Sequence, residues 1–238
     1  MKFFGWIVNP LLWRAVIGRW WFKLGVVILT LYIFFIIFNL ISRYTQAPIV
    51  LSNVQPEQFV SHRVVDPRLV QLSSSTPTWG NPKAKVVIVE FGDFQCPFSR
   101  SEFSIIREVM EKYQDQIFFI WRQFPITNLH DRALETAEAS ICAEEQGRFW
   151  PFHDQVFLHQ DNLSSEALLA YAERAGLVLP DFIKCMASHK TRAVIATDVQ
   201  VGLDNSIKGT PTFFINGTPA AGVLPKVFWE QVIELLSK

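Results

Sequence analysis

The sequence predicts an α/β domain in the order βαβ, helical insertion, ββα, preceded by a single transmembrane helix. Three observations carry this. Residues 86–91, VVIVEF, form a β-branched run of the length of a buried parallel strand, followed at once by a tight turn and a helical period. A second strand-like run, IFFIWRQF, starts at Ile117, and TPTFFING, ending at Gly217, returns the chain to strand after about eighty residues of helical pattern. From Leu24 to Ile41 the chain reads LGVVILTLYIFFIIFNLI without one charge.

At 238 residues the chain has room for one substantial core plus an anchor. As a helix, the 24–41 run spans roughly 27 Å, close to the thickness of a bilayer core. Trp20, Trp21 and Phe22 before it suit the headgroup boundary. A cleaved signal peptide is the competing reading, but its apolar stretch is normally shorter and ends in a small-x-small site, which SRYTQAP offers poorly. Lys2, Arg14, Arg19 and Lys23 precede the span and only Arg43 closely follows, which places the N-terminus in the cytoplasm and the remainder outside it. Residues 1–23, interrupted by Pro10, read as a basic, Trp-rich interfacial segment. Residues 42–79, rich in Pro, Ser, Gln and Thr, read as an extracytoplasmic tether with a short helix near Asp66–Leu72. The folded domain then covers 80–238, with its insertion at about 128–207.

Within the domain the βαβ unit is expected to be right-handed. Its helix carries Phe103, Ile106, Met110 and Tyr113 at spacings of three and four, an apolar face against a sheet. The insertion opens with a helix bearing Leu134, Ala137 and Ile141 and stopping at Gly147; others follow around 165–175 and after Pro180. Asn216-Gly217 marks a hairpin turn, and a last helix carries Phe228, Val232 and Leu235.

Several function classes drop out. Lys plus Arg and Asp plus Glu both number 22, so no basic stripe exists for nucleic acid. The three cysteines include no CxxC pair, and His62, His130, His153, His159 and His189 show neither HxxxH nor HExxH spacing, so surface or helix-packing roles suit the histidines and no metal is assigned. No nucleotide, haem or flavin motif is present, and no cofactor is expected.

Cys96 stands at the entry of the first helix with Pro97 at its first position, where a missing N–H costs nothing. The helix N-terminus faces the sulfur, and its amides and dipole favour the nucleophilic thiolate. A buried, inert cysteine is the competing reading, but it has no need of this turn.

With EFGDFQCPFS after the first strand, CAEEQGRFWPFHDQVF in the insertion and GTPTFFING at the return to the sheet, residues 80–236 resemble the DsbA-like thiol–disulfide oxidoreductases. The resemblance implies a thioredoxin-like fold, a catalytic cysteine at Cys96, and a cis-proline loop at Thr210-Pro211 facing it. Thr210 would present its backbone to an extended peptide, with Gly209 permitting close approach and Pro97 and Phe98 beside it as further substrate contacts. It implies exported or unfolded protein thiols and disulfides as substrates and a membrane-embedded or small-thiol redox partner. Glu90, six positions before Cys96, matches the buried carboxylate that moves protons for the resolving sulfur. Relatives with cysteines at the positions of Cys142 and Cys185 suggest a structural disulfide there; two separately buried thiols are the alternative.

The sequence departs from the family at Ser99, which stands where the resolving cysteine of a CxxC would be. A hydroxyl cannot expel a thiol from a mixed disulfide, so monothiol chemistry, isomerisation or reduction, is favoured over net oxidation. Phe98 also lacks the donor that a histidine there would offer the sulfur, so the thiolate is expected to be less stabilised than in strongly oxidising relatives, with the Ser99 hydroxyl as a substitute donor. Ser99 equally suits a redox-inactive peptide-binding module, and the Trp-rich N-terminus suits a subunit of a larger membrane assembly.

Overall fold

The structure, a computed structural model, describes Lys23 and residues 25–37, 55–59 and 66–238. The chain divides into two units, residues 1–47 and 48–238. In the first, residues 25–37 form a helix with exposed apolar side chains, and the Thr30 hydroxyl folds back onto the carbonyls of Val26 and Val27. Among the described residues no helix is long and apolar enough to cross a membrane. Leu24 and residues 38–41 of the predicted span, and the interfacial segment before Lys23, lie outside the described residues.

The second unit is built on five strands: β1 (Thr78–Gly80), β2 (Val86–Gly92), β3 (Ile117–Gln123), β4 (Thr212–Ile215) and β5 (Thr218–Ala221). Their order across the sheet is β1-β3-β2-β4-β5. The β-branched run of β2 lies at the centre, parallel to β3 and antiparallel to β4. Helix α1 (Pro97–Lys112) links β2 to β3. The insertion supplies α2 (Ala133–Glu144), α3 (Phe149–Leu158), α4 (Ser165–Arg174), α5 (Leu179–Ser188) and α6 (Arg192–Asp204), and α7 (Lys226–Ser237) closes the domain. The hairpin between β4 and β5 turns at Asn216 and Gly217, at φ 45° and 79°, the paired positive values that an Asn-Gly turn accommodates.

Residues 42–79 require a correction. Phe59 is buried and meets the Phe228 ring edge-on at 5.5 Å, Leu69 is buried against the sheet, and Thr78–Gly80 pairs antiparallel with β3. The segment expected to be a tether thus contributes core side chains and an edge strand, and the domain begins before Gly80. The short helix expected near Asp66 is a single 3₁₀ turn, Pro67–Leu69, capped by the Asp66 carboxylate.

The α1 face also differs from expectation. Ile106, Val109 and Met110 pack toward the sheet and α7, but Phe103 stacks on Phe157 of the insertion at 5.3 Å, and the polar Glu102 is fully buried. Phe103 thereby helps close an aromatic core around Phe94, Trp121, Phe149 and Phe157. Glycine is required at position 92, at the end of β2, because a Cβ there would lie 2.1 Å from Trp121 Cη2 in that core.

His153 sits in the same cluster, edge-on to Trp121 and Phe157 at 4.9 Å each. Burial holds its imidazole below the usual histidine range; the neighbouring Asp154 carboxylate opposes this and Arg107 reinforces it. The unfolded chain therefore binds a proton here before the folded one does. This stability contribution is complete above about pH 6.5 and is lost as pH falls from there through the lower folded value. His153→Phe is expected to flatten that acid-side fall in melting temperature; an unchanged slope would contradict the assignment.

Candidate active site

Cys96 caps the N-terminus of α1 in extended conformation, with Pro97 at the first helical position and the Cys96 carbonyl accepting from the Arg100 amide at 3.1 Å. Its thiol is buried and donates to the Thr210 carbonyl at 3.2 Å. Thr210-Pro211 is cis, so the two segments that the sequence paired, one 114 residues after the other, meet as expected. Cys142 and Cys185 are bonded to each other across α2 and α5, which leaves Cys96 as the free thiol.

Ser99 lies on the buried face of α1, and its hydroxyl has no hydrogen-bond partner among the described residues. The Thr210 hydroxyl is likewise buried and unpartnered. Phe98 points outward, nearly half exposed, and lines a groove of ≈ 530 Å³ together with Gly209, Thr210, Pro211, Phe214 and Val223.

The turn before Cys96 is clamped by residues that the sequence did not single out for this role. Asp93, fully buried, accepts from the Gln95 amide at 2.8 Å and the Ile126 amide at 2.9 Å, and faces His130 Nδ1 at 2.7 Å. Gln95 bridges to Asp131 and to the Arg132 amide. Gln160, from the loop after α3, donates to the Phe94 carbonyl at 2.8 Å and the Cys96 carbonyl at 3.0 Å. Sheet, β3–α2 loop and insertion together fix where the sulfur stands. His130 is thus tied to the reactive turn.

Besides Asp93, the carboxyls of Glu90 and Glu102 are buried in this part of the domain. Glu90 on β2 is in register with Trp121 and Phe213, and burial, reinforced by the Glu102 charge, raises its carboxyl well above the usual range. Glu102 on α1 accepts from the Trp229 indole at 2.7 Å and the Leu224 amide at 2.8 Å. Burial pushes it up to about 8, against the opposing pull of those two donors. Glu102 thereby ties α1 to α7. Asp93 was within reach of the sequence, since it lies in the GDFQC motif; Glu102 and Gln160 carried no such signal. Among the described residues no cluster of three or more potential metal ligands exists.

The family model described as Thioredoxin matches residues 73–234. The chain belongs to the thioredoxin family. This thioredoxin-family chain has the fold of DsbA-like thiol–disulfide oxidoreductases. α-DsbA1 of Wolbachia pipientis superposes with TM-score 0.63 at 25% identity, covering 71% of this chain and 94% of that one. A thioredoxin-like oxidoreductase from Silicibacter pomeroyi gives 0.64 at 22%, covering 71% and 96%. Among curated proteins, Na(+)/H(+) antiporter NhaA 3 of Salinispora tropica is 41% identical over 138 residues, 58% of this chain and 21% of that protein. NhaA 1 of Mycolicibacterium gilvum is 35% identical over 140 residues, again 58% of this chain and 23% of that one. The chain spans about a fifth of the length of these relatives.

Proposed function

We propose that the protein is a membrane-anchored, extracytoplasmic thiol–disulfide exchange enzyme that acts through Cys96 alone, as an isomerase or reductase rather than a net oxidant. One observation carries the reading: the free thiol sits at a helix N-terminus against the cis-proline loop, with serine in the resolving position. In the forward step the Cys96 thiolate attacks one sulfur of a substrate disulfide; a Cys96–substrate disulfide forms, and the other substrate sulfur leaves as thiolate. A second substrate thiol, or a small thiol, then attacks the mixed disulfide and restores Cys96. Attack by the substrate thiol rearranges the substrate's bridges; attack by a small thiol leaves a substrate–small-thiol disulfide, which a second small thiol then reduces, the two small thiols leaving as their own disulfide. Glu90 has no resolving sulfur to serve and is left as a buried carboxyl whose ionisation burial disfavours.

The apolar 24–41 run and the positive charges before it support the anchor and the outward-facing domain. Proteins named as antiporters, which work in membranes, contain a segment similar to this one and support a membrane setting. Exported or unfolded proteins with thiols or disulfides are the substrates of this reading. The test is exchange with a model disulfide substrate by the full chain: the parent is expected to accelerate it and Cys96→Ala to return it to the uncatalysed rate. Retention of the acceleration in Cys96→Ala would remove the proposal.

A second reading, a redox-inactive peptide-binding module, is favoured by the burial of Cys96 and by its donation to Thr210, which engages the thiol rather than leaving it open. Under it, Cys96→Ala still binds unfolded peptides while the parent catalyses nothing.

A further inference from the structure

The groove beside Cys96 has a one-sided character. Its walls are apolar: Phe98 overhangs it, Pro211 and Val223 line it, and Pro219 and Ala221 belong to the outer strand of the sheet. Among the described residues the one charged side chain lining it is Lys208, two residues before Thr210. Lys208 is exposed and makes no ion pair or side-chain hydrogen bond among the described residues. Asp204, the nearest acid along the chain, is engaged by Arg68 at 2.6 Å. Among the described residues an unpaired cation thus stands at the rim of an apolar groove that no carboxylate lines.

We infer that this groove selects cysteine-containing peptide segments in which the cysteine is flanked by a bulky apolar residue and, within about two residues, by Asp or Glu. The inference rests on the exchange reading of Cys96 and names its substrate class. The backbone bends at Gly209 and Thr210, and Lys208 lines the same groove as Thr210 and Pro211, so an acidic side chain within about two residues of the reacting cysteine is the one that this cation can meet. The apolar neighbour is taken out of water against Phe98 and Pro211. The acid meets Lys208 and raises the encounter rate, whereas a basic residue there is repelled. Phe98, which offers the sulfur no donor, then serves as the apolar wall.

The test uses the full chain and short peptides whose single cysteine is blocked as a disulfide with an aromatic thiol. Cys96 attacks the peptide sulfur, a Cys96–peptide disulfide forms, and the aromatic thiolate is released and counted. Peptides carrying Leu and Asp next to the cysteine are expected to react roughly three- to tenfold faster at low salt than those carrying Leu and Lys, with the gap shrinking at high salt. Lys208→Glu is expected to invert the charge preference, and Phe98→Ala to weaken the preference for Leu over Ser. Equal rates across the panel, or a charge preference that Lys208→Glu leaves unchanged, would overturn the inference while leaving exchange at Cys96 standing. Release from no peptide at all would overturn it together with the exchange reading.

Discussion

Ser99→Cys is expected to convert the protein from one whose mixed disulfides wait for a second substrate thiol or a small thiol to one that resolves them itself, shortening the lifetime of a Cys96–peptide adduct by at least ~10²-fold at millimolar external thiol. The hydroxyl it replaces is buried, unpartnered, and three residues after Cys96 at the start of the same helix. No hydrogen bond is lost in the exchange, and a thiol tolerates burial better than a hydroxyl. A sulfur there attacks within the molecule, so no second thiol has to find the site. The product is a disulfide between Cys96 and the sulfur introduced at position 99, which in turn makes the variant able to oxidise a reduced substrate, a reaction the parent is not expected to perform. Adduct lifetime is read by quenching and intact-mass analysis. An adduct as long-lived in Ser99→Cys as in the parent would mean that Ser99 does not occupy a resolving position.

Asp198→Ala is expected to lower the stability of the folded domain by about 3–5 kcal/mol, the usual consequence of stripping the partner from a buried charge. Arg122 on β3 and Asp198 on α6 pair at 2.7 Å, with 7% and 5% of their side-chain surfaces exposed. The same guanidinium donates to the carbonyls of Arg68, Leu69 and Gln71, and the second Asp198 oxygen accepts from the Gln123 amide at 3.0 Å. One ion pair therefore holds the insertion, the sheet and the segment before β1 together. Removing the carboxylate leaves a buried cation and an unpaired amide. Asp198→Asn keeps an acceptor and is expected to lose less. Denaturant unfolding of the full chain measures both, and a loss under about 1 kcal/mol for Asp198→Ala would show that the pair is not the tie described.

Much of this architecture was legible because it rests on local signals. The β-branched run of β2, proline after Cys96, and Asn-Gly between β4 and β5 each dictate their backbone from a few neighbouring residues. The cis-proline loop and the Cys142–Cys185 bond came instead from the resemblance, since neither pairing can be read from one sequence alone. What escaped was non-local. β1 is three residues in a Pro- and Ser-rich stretch without periodicity, and it becomes a strand because β3 offers an open edge. Phe59 and Leu69 are single apolar residues whose burial depends on surfaces formed much later in the chain. Glu102 stands beside Phe103 in an amphipathic helix and reads as a surface charge; only Trp229, 127 residues on, and the Leu224 amide make it an interior group. Gln160 belongs to a polar loop, and nothing nearby signals that it reaches the carbonyl of Cys96.

The most direct measurement is to react the full chain with a disulfide-bonded peptide across a range of pH, quench with acid and map every cysteine by mass. The account predicts a peptide adduct on Cys96 alone, with Cys142 and Cys185 still bridged to each other. A folded protein with that bridge intact and no adduct at Cys96, or an adduct carried instead by Cys142 or Cys185, would contradict it.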